Sequence, residues 1–383
     1  MSPEVSKPRG RLPDGGAAGA RPGAGGDDDG AGPGAATGSL TPPCSHSARR
    51  GPPAQPLQSA PSARARGRRT GGSPVSSVLV IGEALVDVVH SSDGGVQEYP
   101  GGSPLNVAIG LSRLGRPAQL LAHLGDDARG EVVLAHLRAS GVEVVEGTVR
   151  PGATSTAQAT LGADGSATYV FDITWELPEG AALDAALPES AAAVHTGSIG
   201  SWYEPGAAAV SRLVQRYRDT ATTTFDPNLR PSLMGDPSLV RQRIDALVEH
   251  CDVVKLSDED ADWLQPDGDH EALLASWLER GASLAVLTRG AEGLVALSRS
   301  GRAEVKAPKV VVADTVGAGD SVMAALIDGL AEHDLLGADK RQALRDISAD
   351  DVQTLLVHAA RVGAVTVSRP GADPPWRREL LGV

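Results

Sequence analysis

Aromatic residues are scarce in this chain: two Phe, four Tyr and five Trp among 383 residues. Its core must therefore rest on Val, Leu, Ile and Ala, for which a hydrophobic content of 41% is ample. Only Cys44 and Cys251 occur, too few and too scattered for a disulfide framework or a zinc site. No apolar run approaches the length of a transmembrane helix. The formal net charge of −13 argues against general affinity for nucleic acid or for anionic membrane surfaces. Common catalytic signatures are missing as well. There is no G-x-x-x-x-G-K-[ST] loop, no G-x-G-x-x-G after the first apolar run, no G-x-S-x-G elbow, and no metal-type pair among the nine His. These absences disfavour a P-loop enzyme, a Rossmann dehydrogenase and an α/β-hydrolase. The expectation is a soluble cytoplasmic protein.

Residues 1–74 also lack something: Val and Ile are almost absent from this Gly, Pro, Ala, Ser and Arg segment. It cannot bury enough apolar surface to offset its ordering entropy, so a disordered tail is expected. Ten Lys/Arg against five acids give it about +5, and the remainder about −18. Arg49-Arg50 and Arg68-Arg69 lack the apolar stretch of a twin-arginine export signal. No Met lies between Met1 and Met234, so a second expectation is a mis-called start, the true one being a non-Met codon near Val75 or Val78. An intact mass that includes residues 1–74 would contradict it.

From Val78 to the end the pattern is that of one domain, 75–383. Val78-Leu79-Val80-Ile81-Gly82 is a continuous apolar run ending in Gly, the mark of a strand buried on both faces. Similar runs recur at 118–123, 192–196, 222–226, 253–256, 284–288 and 293–297. Helical stretches separate most of them, at 105–114, 130–140, 204–218, 238–250 and 270–280. This alternation predicts an α/β fold with a mainly parallel central sheet flanked by helices. Two segments, near 86–100 and 154–173, alternate in period two around Gly-rich turns. They predict hairpins that form a small β-sheet lid.

Six segments carry chemistry. Asp314-Thr315-Val316-Gly317-Ala318-Gly319-Asp320 opens an apolar helix. The first amides of a helix lack intrahelical acceptors and favour anions, phosphates included. An aspartate there can take a proton from whatever attacks the phosphate, or can simply cap the helix. Gly101-Gly102-Ser103-Pro104-Leu105-Asn106 lets backbone approach a ligand and offers an amide to hydroxyls; it also reads as an ordinary helix start. Gly82-Glu83-Ala84-Leu85-Val86-Asp87 puts carboxylates past the end of the first strand, where open α/β sheets collect ligands. A lone Asp there is also a common turn residue. Phe225-Asp226-Pro227-Asn228-Leu229-Arg230-Pro231 and Lys255-Leu256-Ser257-Asp258-Glu259-Asp260 each follow a strand. The second resembles a solvated helix start as much as a magnesium contact through water. Thr288-Arg289-Gly290-Ala291-Glu292-Gly293 is a tight turn between strands whose first residues would reach phosphates.

With its Gly-Gly-x-x-x-Asn and Asp-Thr-x-Gly-Ala-Gly-Asp motifs in that order, about 200 residues apart, the chain resembles the ribokinase-like (PfkB) carbohydrate kinases from about Val78 to Leu381. The Gly82–Asp87, Gly101–Asn106 and Phe225–Arg230 segments look most like the fructokinase branch; relatives that act on ribose or phosphosugars tend to carry Lys at Ser103. The resemblance implies ATP-dependent phosphorylation of a sugar's primary hydroxyl. Asp320 would be the general base, and the amides of Gly317, Ala318 and Gly319 the anion hole. Asp87, Gly101, Gly102 and Asn106 would grip the sugar, with Asp226, Asn228 and Arg230 nearby. Lys255, Ser257, Thr288, Gly290 and Gly293 would lie along ATP. Asp260 or Glu259 would reach Mg2+ through water, Asp260 standing on a shorter arm than the family's usual Glu. A K+ ion would sit among Asp314, Val316, Thr366, Arg369 and Gly371, although Pro375 stands where some relatives have a Ser ligand.

The expected partner is a small-molecule sugar, with no nucleic acid and no membrane, in a monomer or a homodimer formed through the lid. Fructose leads. A keto-acid would call for a cation near its carboxylate, and the lid segment Tyr169-Val170-Phe171-Asp172 offers none. Within the same fold, 2-keto-3-deoxygluconate, ribose and nucleosides stay open as acceptors. A non-catalytic sugar- or nucleotide-binding regulator is the reading from a different class, and a basic tail on nucleic acid is the remotest.

Overall fold

The computed structural model describes residues 77–91, 94–161, 167–178, 180–266 and 268–381. The segment 1–74 and the centres of both hairpin turns lie outside these residues. The strands, in chain order, are β1 (Val78–Ile81), β2 (Leu85–His90), β3 (Val96–Gly101), β4 (Ala118–Leu121), β5 (Leu124–Gly125), β6 (Glu143–Val144), β7 (Val149–Arg150), β8 (Thr156–Leu161), β9 (Ala167–Asp172), β10 (Ala193–Gly197), β11 (Thr222–Asp226), β12 (Val253–Ser257), β13 (Leu284–Thr288), β14 (Leu294–Ser298) and β15 (Gly301–Val305). Nine of them form the main sheet, in the order β15-β14-β13-β12-β11-β10-β1-β4-β6. Pairing is parallel from β13 to β6 and antiparallel at the β13–β14 and β14–β15 edge.

The continuous apolar runs follow from coverage on both faces. In β1, Val78 and Val80 enter one core cluster while Leu79 and Ile81 enter the other. In β13, Leu284 and Val286 divide from Ala285 and Leu287 in the same way. A pleated strand turns successive side chains to opposite faces, so a strand with helices on both sides needs an apolar residue at every position.

The two hairpins form a separate sheet in the order β3-β2-β8-β9. Each is antiparallel within itself, and β2 joins β8 in parallel, Val86 opposite Thr156. This is the expected small second sheet, made by two hairpins laid side by side.

The helices are α1 (Ser103–Arg113), α2 (Ala128–Ala139), α3 (Ala181–Ala186), α4 (Ser198–Trp202), α5 (Gly206–Arg218), α6 (Pro237–Val248), α7 (Asp258–Leu264), α8 (His270–Glu279), α9 (Ala318–Glu332), α10 (Arg341–Arg345), α11 (Ala349–Val367) and α12 (Arg377–Leu380). The sequence-read bounds are off by one or two residues where they differ. The long α11 is absent from the sequence reading, which followed strand–helix alternation and had no strand to flag it. Its start is nevertheless marked, since Ser348 Oγ accepts a hydrogen bond from Asp351 N at 3.1 Å.

Helix α9 is apolar nearly all round, with Ser321 to Leu330 buried, because α1 and α11 flank it on the sheet. The α1–α9 approach is close: a Cβ at Gly110 would meet Ala324 Cβ at 2.7 Å. Two turns beyond Asp320, the fully buried Asp328 accepts from Arg116 Nε at 2.6 Å and Arg377, and faces His358 Nε2 at 2.9 Å. These contacts fix α9 along its axis, and so fix where its first turn points.

Candidate active site

The first turn of α9 is built as the sequence suggests. Gly317 is its N-cap, in the left-handed region at φ 72°, where a glycine costs least. A Cβ there would also meet Ala372 Cβ at 2.6 Å. Ser321 N reaches Gly317 O at 2.9 Å, so the amides before it belong to the unsatisfied first turn. Ala318 N makes only a long 3.3 Å bond to Thr315 O. A helix start of this kind favours anions.

Asp320, 6% exposed, is held from α1. Ser103 Oγ donates to its Oδ1 at 2.6 Å and Asn106 Nδ2 donates to its Oδ2 at 2.8 Å. Ser103 and Asn106 are three residues apart, so they share one helix face. Asn106 therefore serves the carboxylate with its amide nitrogen, beyond any contact it makes to a sugar. The bond from Ser103 was not foreseen. The i, i+3 spacing of Ser103 and Asn106 was the signal available for it.

The ends of β11 and β12 meet beneath this turn. Lys255 Nζ lies 2.8 Å from Asp226 Oδ2, and both side chains are buried. Burial pushes the Asp226 carboxyl up to about 6 in spite of Lys255. Burial pulls the Lys255 ammonium down, but Asp226, with Asp320 and Asp260 beyond it, holds it above the usual lysine range. Asp260 ties the next loop down: Oδ1 accepts from Leu229 N at 2.9 Å, while Ser257 Oγ accepts from Asp260 N at 3.0 Å in a capping box. Glu259 beside it is exposed. Asn228 sits at φ 37°, and its carbonyl and Oδ1 accept from Arg230 Nη1 at 3.1 and 2.7 Å.

Two carboxylates close the β1 side. Burial pushes Asp87 up to about 6 and Glu83 up to about 7, and the charge of Arg230 opposes both shifts. Glu83 Oε2 accepts from Gly200 N at 2.8 Å, which ties β1 to α4. Glu83 stood in the sequence motif without a role of its own. Gly101 is a glycine for space, since a Cβ would meet Asp87 Oδ2 at 2.1 Å; Gly102 is one both for its φ of 112° and for space, since a Cβ would meet Glu83 O at 2.6 Å.

The remaining predicted positions fall into two places. Thr288 ends β13 beside β12, with its Oγ1 3.4 Å from Leu256 O, and the space in front of Gly290 is open. Gly293 packs against Val305 O. On the other side, Asp314 Oδ1 accepts from Val316 N at 3.0 Å and Oδ2 accepts from Gly371 N at 2.8 Å. Thr366 O accepts from Arg369 N at 3.1 Å. Asp314, Val316 and Gly371 are thus joined, while the Arg369 side chain turns away to Glu379 at 2.6 Å.

Comparison with known proteins identifies the family. The pfkB family carbohydrate kinase description matches residues 75–378. Fructokinase of Rhizobium leguminosarum bv. trifolii is 36% identical over 278 residues, 69% of this chain and 82% of that protein. Fructokinase-2 of Solanum habrochaites is 29% identical over 330 residues, 81% of this chain and 97% of that protein. The crystal structure of fructokinase with bound ATP from Xylella fastidiosa has the same fold, with a TM-score of 0.67 at 24% identity over 80% of this chain and 97% of that one. The chain belongs to the pfkB carbohydrate kinase family and is a sugar kinase.

Proposed function

We propose that this kinase transfers the terminal phosphoryl group of ATP to the primary hydroxyl of fructose. The observation that carries the reading is Asp320, oriented by Ser103 and Asn106 at the mouth of an unsatisfied helix start. Asp320 takes the hydroxyl proton as the sugar oxygen attacks the γ-phosphorus. The new O–P bond forms while the bond to the bridging oxygen breaks, and ADP leaves with that electron pair. The amides of Gly317 to Gly319 receive the charge on the equatorial oxygens, which is most of what such a transfer asks of a protein. Asp87, Asn106 and the 226–230 loop orient the sugar under the second sheet, and ATP runs over Ser257, Thr288 and Gly290.

The choice of a neutral acceptor rests on charge. Arg230 stands against Glu83 and Asp87 and is tied to its own loop, and Lys255 is paired with Asp226. A substrate carboxylate or phosphate would have to compete with them.

Among the described residues no group of three His, Cys, Asp or Glu could hold a metal ion. That fits a magnesium ion that arrives on the nucleotide and leans on few protein ligands, here Glu259 or Asp260 through water. Bound there, it would neutralise phosphate charge. The oxygens of Asp314, Val316, Thr366, Arg369 and Gly371 form a hard donor set suited to K+, with Asp314 already bridging two of its loops.

A coupled ADP-release assay over fructose, 2-keto-3-deoxygluconate, ribose and adenosine tests the proposal. Fructose should give the highest kcat/KM, by at least about tenfold. A higher value for any other acceptor contradicts it.

A further inference from the structure

On the face of the main sheet opposite α9, helices α6, α7 and α8 surround a cavity of about 190 Å3. Ile244, Leu264 and Leu273 give it apolar walls, and Trp277 lines it with a fully buried ring. The indole N–H of Trp277 finds no acceptor among the described residues. A donor buried without a partner forfeits its hydration, and an acceptor seated in the cavity beside the ring would restore what is lost. The other polar groups of the lining are mostly donors. Among the described residues the exposed Arg241 makes no ion pair and the side-chain amide of Gln265 no hydrogen bond. Gln265 lies across Gly268, where a Cβ would strike it. The rest of the lining is already matched. Arg280 donates to Asp245 and to Glu249, each at 3.2 Å, and Ser276 Oγ donates to Leu273 O at 2.7 Å. What stays unmatched is one guanidinium, one amide and one indole N–H around an apolar chamber, the usual make-up of a small-molecule site.

We propose that this cavity is a binding site for a small monocarboxylate with an apolar body. Its carboxylate pairs with Arg241 and accepts from Trp277 Nε1, and its body lies against Leu264 and Leu273. Size and chemistry both favour this class. An apolar cavity of about 150 Å3 is enough to hold benzene, so this one takes a ring or a branched chain together with a head group. A carboxylate brings acceptors only, which is what the unmatched donors ask for, and the bond to a guanidinium is charge-assisted. A phosphate would bring more charge than Arg241 alone can meet, and a sugar would leave its hydroxyls against leucines. None of the lining residues belongs to the sugar or nucleotide positions, so the site stands independently of the kinase reading.

Titration calorimetry of the full chain with benzoate, 3-methylbutanoate, benzyl alcohol and inorganic phosphate tests the proposal. At least one of the two carboxylates should bind saturably, one per chain, with a Kd of about 1 mM or tighter. Benzyl alcohol should bind at least about tenfold more weakly than benzoate, and phosphate should not bind in the cavity. Leu273→Trp fills the chamber and should abolish carboxylate binding, while Arg241→Gln should weaken it by about tenfold. No saturable binding by either carboxylate overturns the proposal, as does benzyl alcohol binding as tightly as benzoate. Carboxylate binding that survives Leu273→Trp unchanged places the ligand elsewhere and overturns it too. Should Leu273→Trp not fold, Arg241→Gln, a change at an exposed position, decides: an affinity within about twofold of the parent overturns the proposal.

Discussion

A carboxylate that takes a proton has to be aimed, and at Asp320 two side chains from another helix do the aiming. The sequence named Asp320, Asn106 and the glycines because each stands in a dense local motif. It did not name the hydrogen bond from Ser103, which exists only once α1 and α9 are packed together. Glu83 shows the same limit: its buried bond to Gly200 N joins residues 117 positions apart. Its burial has a pH consequence. The Glu83 carboxyl rises from 4.5 to about 7 on folding, so its contribution favours the folded state below the unfolded value and is lost as pH rises through about 7. Glu83→Gln keeps an acceptor for Gly200 N and removes that loss. Denaturant unfolding should show the variant gaining stability over the parent by on the order of 2 kcal/mol between pH 5 and pH 8. An unchanged difference across that range would contradict the assignment.

Among the elements, α1 and α9 matter most, because their N-termini bring the proposed base and its holders together. Most strands, and the longer helices other than α11, were legible from periodicity, and the second sheet from its period-two alternation. The parallel pairing of β2 with β8 was not, since nothing local in either hairpin specifies its neighbour. In the proposed sugar site, the turn into α1 is where an element's geometry would set binding. At Gly101 an added methyl would strike Asp87 Oδ2 at 2.1 Å. Gly101→Ala should therefore push Asp87 out of the sugar site and raise the fructose KM by about tenfold or more, about 1.4 kcal/mol of binding, with the ATP KM unchanged. Steady-state kinetics with each substrate varied in turn checks this; a parallel rise in both KM values would place the damage in the fold instead.

For the molecule as a whole, the two sheets and the helix starts form one constellation drawn from the entire span between β1 and the segment after α11. Composition limited the class and the motifs located the chemistry. What composition and motifs left out was the buried charge network, because the Lys255–Asp226 pair, the Asp260 tie to Leu229 and the Asp314 tie to Gly371 are all contacts across distant sequence. The central claim is that Asp320 takes the proton from the accepting hydroxyl. The most direct measurement is turnover of Asp320→Asn with saturating ATP and fructose, in protein shown to be folded and to bind fructose. Loss of about a hundredfold or more is predicted, on the scale of general-base catalysis. A loss of less than about tenfold, worth about 1.4 kcal/mol of barrier, would contradict it.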